Sequence, residues 1–527
     1  MELNKDIIEN KQALEEKGFK IFSYDREKVK EETLNAPIWI HFGAGNIFRG
    51  FPAALQDALL ETERSKKGIV VVESYDTEII DAVYKPCDNL SLLVTLRNDG
   101  SIEKQIIGSI VESLKIDEEK DWHQLVALFR NEALQMVTFT ITEKGYSTSN
   151  QELDFNQSPN KSKSLMGRLT YLCYERYLQG GVPLSLVSLD NCSKNGKKLQ
   201  EAVLHFAKEW IKRGKIEAGF INYIEDANKL AFPWSMIDKI TPHPSEMVKA
   251  LLEESGMEST RIIKTEKNTY IAPFVNAEET QYLVIEDRFP NGRPPLEEVG
   301  ILFTSRETVE RVERMKVCTC LNPLHTALAI FGCLLGYQRI YDEMENSQFK
   351  RLVERIGYEE GLPVVTDPKI INPREFIKEV IEKRLPNPFI PDSPWRIIAD
   401  TSQKLPIRFG ETIKAYVASN TLEPADLRYI PLTIAGWCRY LMGIDDSGNI
   451  FEVGPDPMAV TLKQQVESIH LQEYNLVSTK LRPILSDATL FGVNLYQVNL
   501  GSKVEDYFRE LIAGTGAVQR TLEKYLI

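Results

Sequence analysis

Cysteine and histidine are scarce in this chain, seven and six among 527 residues. The cysteines (Cys87, Cys173, Cys192, Cys318, Cys320, Cys333 and Cys438) are dispersed and odd in number, which excludes a disulfide framework. Only Cys318 and Cys320 lie close, and a C-x-C without a second pair does not make a zinc site. The histidines His41, His123, His205, His243, His325 and His470 supply no His-x-x-x-His pair, so no metal is expected. Basic residues are outnumbered, 63 to 76, for a net charge of -13, whereas a nucleic-acid partner calls for a basic face. No apolar run approaches the roughly 18 residues that cross a bilayer. Residues 1–6 are charged with no apolar stretch behind them, so no signal peptide is expected and the cytoplasm is the expected compartment. Long low-complexity segments and internal repeats are also missing. The acidic balance speaks to solubility and leaves the oligomeric state open.

What is present is ordinary globular material, 43% apolar and 26% charged, and long enough for two or three domains around a large core. Residues 1–34 are charged and helix-prone and read as an N-terminal helical extension. Strand-like runs follow at 37–42, 68–72, 136–142 and 184–189, with helical periodicity over 50–60. Strand, helix, strand with β-branched buried strands predicts a parallel sheet. Beyond residue 240 the apolar spacing becomes three and four, at 246–254, 326–337, 373–384 and 432–442. The chain therefore reads as α/β: a Rossmann-like dinucleotide-binding domain over 35–239, then a mostly α-helical substrate and catalytic domain over 240–527. The active site is expected in the cleft between them.

The turn Gly43-Ala44-Gly45-Asn46-Ile47 follows the first strand and opens a helix. Gly43 and Gly45 allow a tight turn and close approach of a pyrophosphate to the helix start at Asn46 and Ile47. Phe48 stands where the strict G-x-G-x-x-G fingerprint carries its third glycine. At the end of the second strand, Glu73, with Asp76 as second candidate, is placed to accept ribose hydroxyls. A carboxylate there repels a 2′-phosphate, favouring NAD over NADP.

Lys316, Asn322 and His325 fall within about three helical turns. Oxidising an alcohol requires a group that removes the hydroxyl proton and donors that hold the oxygen. A lysine titrates near about 10.4, so desolvation or a neighbouring cation must lower it for that work. The alternative is a helix whose polar residues face solvent, with Asn322 as the cap before Pro323.

Residues 41–49, 140–146, 188–196, 232–242, 316–325, 396–406 and 434–443, taken in order, resemble the polyol-specific long-chain dehydrogenases, the mannitol dehydrogenase family. The resemblance implies metal-independent, NAD(P)-dependent hydride transfer between a secondary alcohol and a ketone, with a small sugar acid or polyol as partner. It implies Lys316 as general acid/base, with Asn322 and His325 binding the reacting oxygen. It further implies Asn191 and Asp238 beside the substrate or cofactor, Thr142 and Glu143 with the cofactor, and Arg396 and Lys404 at the substrate's far end. On residue chemistry alone, the alternatives are Asp238 as a cap or ion-pair partner, Arg396 as the partner of Asp400, and Asn191 as a turn residue. One departure stands out: Lys316 precedes Asn322 by one residue more than in the family pattern. An extra residue rotates a helical side chain by about 100°, so either a bulge absorbs it or the lysine precedes the helix.

The family divides by what the substrate carries at its end: hydroxymethyl, phosphate or carboxylate. The S-Q-K-L-P stretch resembles the fructuronate reductase and mannitol 2-dehydrogenase branches. Paired Arg396 and Lys404 suit a carboxylate, so interconversion of D-fructuronate and D-mannonate is the expected reaction. Mannitol 2-dehydrogenase, tagaturonate reductase and an NAD-retaining sugar-acid epimerase are the alternatives, with a ligand sensor more remote.

Overall fold

The computed structural model describes residues 1–526 and divides into two compact units, residues 1–310 and 311–527. The first is built on six parallel strands: β1 (Trp39–Phe42), β2 (Ile69–Glu73), β3 (Ile110–Lys115), β4 (Met136–Phe139), β5 (Leu184–Ser188) and β6 (Leu230–Ala231). They lie in the order β3-β2-β1-β4-β5-β6, every neighbouring pair parallel. This is the doubly wound dinucleotide-binding order, with the direction of winding reversing between β1 and β4.

β1, β2, β4 and β5 are buried along their whole length, which is why the sequence shows continuous apolar runs there. The two faces separate by the two-residue strand period. Ile40, Phe42, Val70, Val72, Val137 and Phe139 pack with Leu169, Leu199 and Phe206 of the helices Leu165–Leu178 and Asn195–Lys212. Trp39, Ile69, Val71 and Met136 pack with Ala53, Leu55 and Leu59 of the helix Pro52–Glu61.

Two expectations differ from what folds. The first 34 residues are not purely helical: Phe19–Ile21 is a strand pairing in parallel with Ile102–Ile107, at the edge of a sheet continued by Ser91–Leu96 and Phe274–Glu278. The Met1 ammonium donates to Gly256 O at 2.7 Å, so this segment is part of the first unit. Residues 240–310 also stay with that unit, because Ser235–Asp238, Tyr282–Glu286 and Leu302–Thr304 form a small sheet. These strands are too short for their period to stand out against helical spacing.

The second unit is helical. Its most apolar helix, Asn322–Leu335, is enclosed along Ala327–Leu334. It continues the helix that begins at Arg306, a 30-residue element long and apolar enough to cross a membrane, whose 18-residue apolar window is 78% buried within the protein. Between Arg306–Met315 and Asn322–Leu335 the helix widens into a π-turn, Lys316–Cys320, closed by Leu321 N–H donating to Lys316 O at 3.1 Å. A π-turn takes one residue more than an α-turn. The step from Lys316 to Asn322 runs through that turn.

Candidate active site

The turn after β1 is fixed by contacts that admit only glycine at one position. Gly43 has φ +107, and a Cβ there would lie 2.2 Å from Thr140 O. Gly45 differs: a Cβ would meet nothing within 4 Å, so its backbone faces open space at the start of the helix Asn46–Gly50. Asn46 Oδ1 accepts from Arg49 at 2.8 Å, and Ile47 lines the adjoining cleft. His41 is enclosed between Thr138 and Thr140 (2.6 and 2.9 Å) and stacked on Phe48; burial drives its pKa down to about 3, so it is neutral and structural.

Glu73 ends β2 and is 5% exposed. Its Oε1 accepts from the backbone of Ser74, Tyr75 and Asp76 (2.9, 2.7 and 3.0 Å), and Oε2 accepts from Ala44 N at 2.7 Å. The carboxylate thus ties the glycine turn to the end of β2 and keeps acceptor capacity on Oε2. Asp76 is committed elsewhere, its Oδ2 accepting from the Thr265 hydroxyl at 2.6 Å. Between the two acids, Glu73 is the one that ties the glycine turn to the end of β2.

At the carboxyl ends of β1, β4 and β5 lies a cleft of about 230 Å³ lined by Ile47, Thr140, Asp190, Asn191 and Asp238. Open α/β sheets bind ligands at this position, where the strand order reverses. Thr142, beside it, has φ +64 and ψ 161, a region costing a non-glycine residue about 1–3 kcal/mol. Asp190 holds it there, accepting from Thr142 N at 2.8 Å and Ile141 N at 3.2 Å, with the Tyr146 hydroxyl donating to the same carboxylate. Burial raises the Asp190 pKa against these donors. Glu143 points outward and pairs with Lys198.

Asn195 joins the two edges of the cleft. Its amide donates to Ser188 O (3.2 Å), Asp190 O (3.1 Å) and Ser235 O (3.0 Å), and its oxygen accepts from Ser235 N (3.1 Å). This fixes the strand that ends at Asp238, itself 7% exposed. Asp190 and Asn195 sit inside the stretch singled out by resemblance, yet only Asn191 was drawn from it. Their roles depend on backbone partners that no residue spacing displays.

In the second unit, Lys316 is 3% exposed and opens the π-turn. Asn322 is the first residue of its helix; Leu321 is the cap, so the expected alternative of Asn322 as N-cap does not hold. His325, one turn on, presents Nε2 to Asp392 Oδ2 at 3.3 Å. Asp392 also pairs with Arg396, so Arg396 is tied to Asp392 and not to Asp400. Burial opposes the Asp392 charge, but His325 and Arg396 hold its pKa down at about 2. Lys404 donates to Ile397 O at 3.0 Å and to Ala399 O, closing the end of the helix Pro394–Ile397. Burial and the nearby Arg408 charge lower the Lys404 pKa. Asp392 was missed, although its place four residues before Arg396 is the spacing of a helical ion pair. Among the described residues no three His, Cys, Asp or Glu side chains gather to hold a metal ion.

Comparison with known proteins accounts for both units. The family model of the mannitol dehydrogenase Rossmann domain matches residues 37–298, and that of the mannitol dehydrogenase C-terminal domain matches residues 308–504. D-mannonate oxidoreductase of Thermotoga maritima is 52% identical over 99% of this chain and 99% of its own. Mannitol 2-dehydrogenase of Aspergillus fumigatus is 29% identical over 96% of this chain and 95% of its own. Among solved structures, the Pseudomonas fluorescens mannitol 2-dehydrogenase ternary complex with NAD and D-mannitol superposes with a TM-score of 0.69 at 25% identity, covering 100% of this chain and 99% of that one. D-Sorbitol dehydrogenase in substrate-free form shares the fold, with a TM-score of 0.76 at 22% identity over 95% and 97% of the two chains.

Proposed function

The chain belongs to the mannitol dehydrogenase family, and from that premise we propose that it is an NAD-dependent oxidoreductase interconverting D-fructuronate and D-mannonate. The observation that carries this reading is the 52% identity, over 99% of both chains, to a D-mannonate oxidoreductase. Mannitol 2-dehydrogenases match at 29%.

The residues of the first unit fit a dinucleotide. A bare backbone at Gly45 lets a pyrophosphate approach the helix Asn46–Gly50, and Oε2 of Glu73 accepts a ribose hydroxyl while repelling a 2′-phosphate. Thr142 borders the nicotinamide end, with Asn191 and Asp238 toward the substrate. When bound, NADH supplies the hydride that reduces the keto carbon.

The second unit supplies the acid and the oxygen-holding groups. In the direction of reduction, the Lys316 ammonium gives a proton to the carbonyl oxygen as it becomes a hydroxyl; in oxidation the neutral amine takes that proton back. Asn322 donates to the same oxygen from its carboxamide. His325 turns its Nε2 edge to Asp392 and leaves Nδ1 for the substrate hydroxyl. Arg396 and Lys404 border the far end of the substrate. Among the described residues the one long apolar helix is mostly interior to the protein, which suits a soluble enzyme.

Absorbance of NADH with D-fructuronate, D-tagaturonate and D-fructose in parallel tests the reading. Fast oxidation with fructuronate is expected. Turnover confined to fructose or tagaturonate moves the enzyme to another branch of the family, and sugar conversion with no net absorbance change identifies an epimerase.

A further inference from the structure

Arg408 ends the helix Thr401–Arg408, one turn beyond Lys404. Its Nη1 donates to Thr326 Oγ1 at 2.5 Å, and that hydroxyl donates to Asn322 O at 2.9 Å. The guanidinium is therefore seated against the helical turn that carries both Asn322 and His325.

Its surroundings leave its charge unanswered. Among the described residues no carboxylate pairs with Arg408, and burial alone pulls its pKa down to about 10. Two other enclosed arginines in this chain are held by several backbone carbonyls. Arg176 donates to five carbonyls and Arg439 to three. Arg408 makes one hydrogen bond, to Thr326, for five N–H donors, yet remains partly exposed, so a ligand can reach it. Removing a guanidinium from water without a counter-charge is costly, and an arriving anion offsets that cost. The two cations first expected to hold a carboxylate are engaged, Arg396 by Asp392 and Lys404 by two carbonyls.

We propose that Arg408 receives the substrate's carboxylate and so selects sugar acids over neutral polyols. This rests on the hexuronate reading above. In a 2-keto hexuronate the carboxylate lies at the opposite end from the ketone. An anchor is therefore needed beside, and not among, the groups that hold the reacting oxygen, and Arg408 reaches their helix only through Thr326. The planar fork matches a carboxylate bidentately, which a lysine cannot do.

The test compares D-fructuronate with its neutral amide in wild type, Arg408→Gln and Arg408→Lys. Arg408→Gln is expected to raise KM for fructuronate roughly 10- to 100-fold, with kcat within a few-fold, and to erase the preference for acid over amide. KM for NADH should stay unchanged, which also reports an intact fold. Equal losses on acid and amide, or an unchanged KM, overturn the proposal. Should the glutamine variant fail to bind NADH, Arg408→Lys decides: a partial loss of the acid preference supports the assignment and full retention overturns it. Wild type inert on fructuronate sinks the hexuronate reading instead. Calorimetry of D-mannonate binding to wild type and Arg408→Gln then judges Arg408 separately, and equal affinities for the two overturn its role.

Discussion

Asp392 and His325 face each other across 3.3 Å, Oδ2 to Nε2, on segments 67 residues apart. Arg396 holds the other oxygen of the same carboxylate. The pairing sets the plane of the imidazole and, in the function proposed above, leaves Nδ1 for the substrate oxygen. Asp392→Asn keeps the shape and removes the charge, so kcat should fall roughly tenfold or more while KM for NADH stays put. Steady-state kinetics decide, and a wild-type kcat would demote Asp392 to a surface ion pair.

The acid/base role proposed for Lys316 is tested by removing its amine. Lys316→Met should lower kcat by about 10²- to 10⁴-fold with little change in KM for the sugar. Full turnover in this variant would move the acid/base role to another residue, with His325 next to be tested.

Gly43 and Gly45 stand two residues apart and should respond oppositely to one added methyl. Gly43→Ala drives a Cβ into Thr140 O, 2.2 Å away, at a φ that alanine rarely adopts, so a loss of about 1–3 kcal/mol or more in stability follows. Gly45→Ala has open space and should melt like wild type, while KM for NAD rises about tenfold or more as the methyl intrudes where a pyrophosphate approaches. Thermal melts paired with NAD titrations separate the two, and normal NAD binding by a stable Gly45→Ala protein would remove the turn from the cofactor site.

Glu73 holds Ala44 N, and in the function proposed above it also accepts from the ribose. Glu73→Gln should weaken NAD and narrow the NAD-to-NADP ratio of kcat/KM together. Asp76→Asn should leave that ratio alone, since Asp76 already accepts from Thr265. The reverse pattern would exchange the two assignments.

Much of this was readable along the chain. The long buried strands announced themselves because both faces are covered, and the glycine turn and terminal acid follow from where β1 and β2 end. Short strands such as Phe19–Ile21 and Leu302–Thr304 were lost, having too few residues to display a period. The π-turn at Lys316–Cys320 showed only as an odd spacing between Lys316 and Asn322. Asp190, Asn195 and Asp392 escaped because their work is to position other groups, through contacts between segments distant in sequence. Arg408 escaped because what marks it is a guanidinium with neither a counter-charge nor backbone acceptors among the described residues, which only the folded chain reveals.

Glu360 sets a pH dependence of stability independent of catalysis. It lies 4% exposed and accepts from Arg428 N, Tyr429 N and Ile430 N, satisfying the start of the helix Tyr429–Tyr440. Burial raises its pKa from 4.5 to about 7 against those donors. Between these values the native state binds a proton that the unfolded chain does not, so stability is fully present below pH 4.5 and is lost as pH rises through about 7. At 1.36 kcal/mol for each pKa unit, the loss is about 3 kcal/mol. Asp57, raised to about 6, and Glu343, also raised, act in the same direction, so removing Glu360 should reduce the slope without abolishing it. Glu360→Gln keeps one acceptor oxygen but cannot titrate. Its melting temperature should lie below wild type at pH 5 and approach it at pH 7.5. Parallel curves for the two proteins across that range would show that Glu360 titrates at its ordinary value and that its burial is compensated by the three N–H donors.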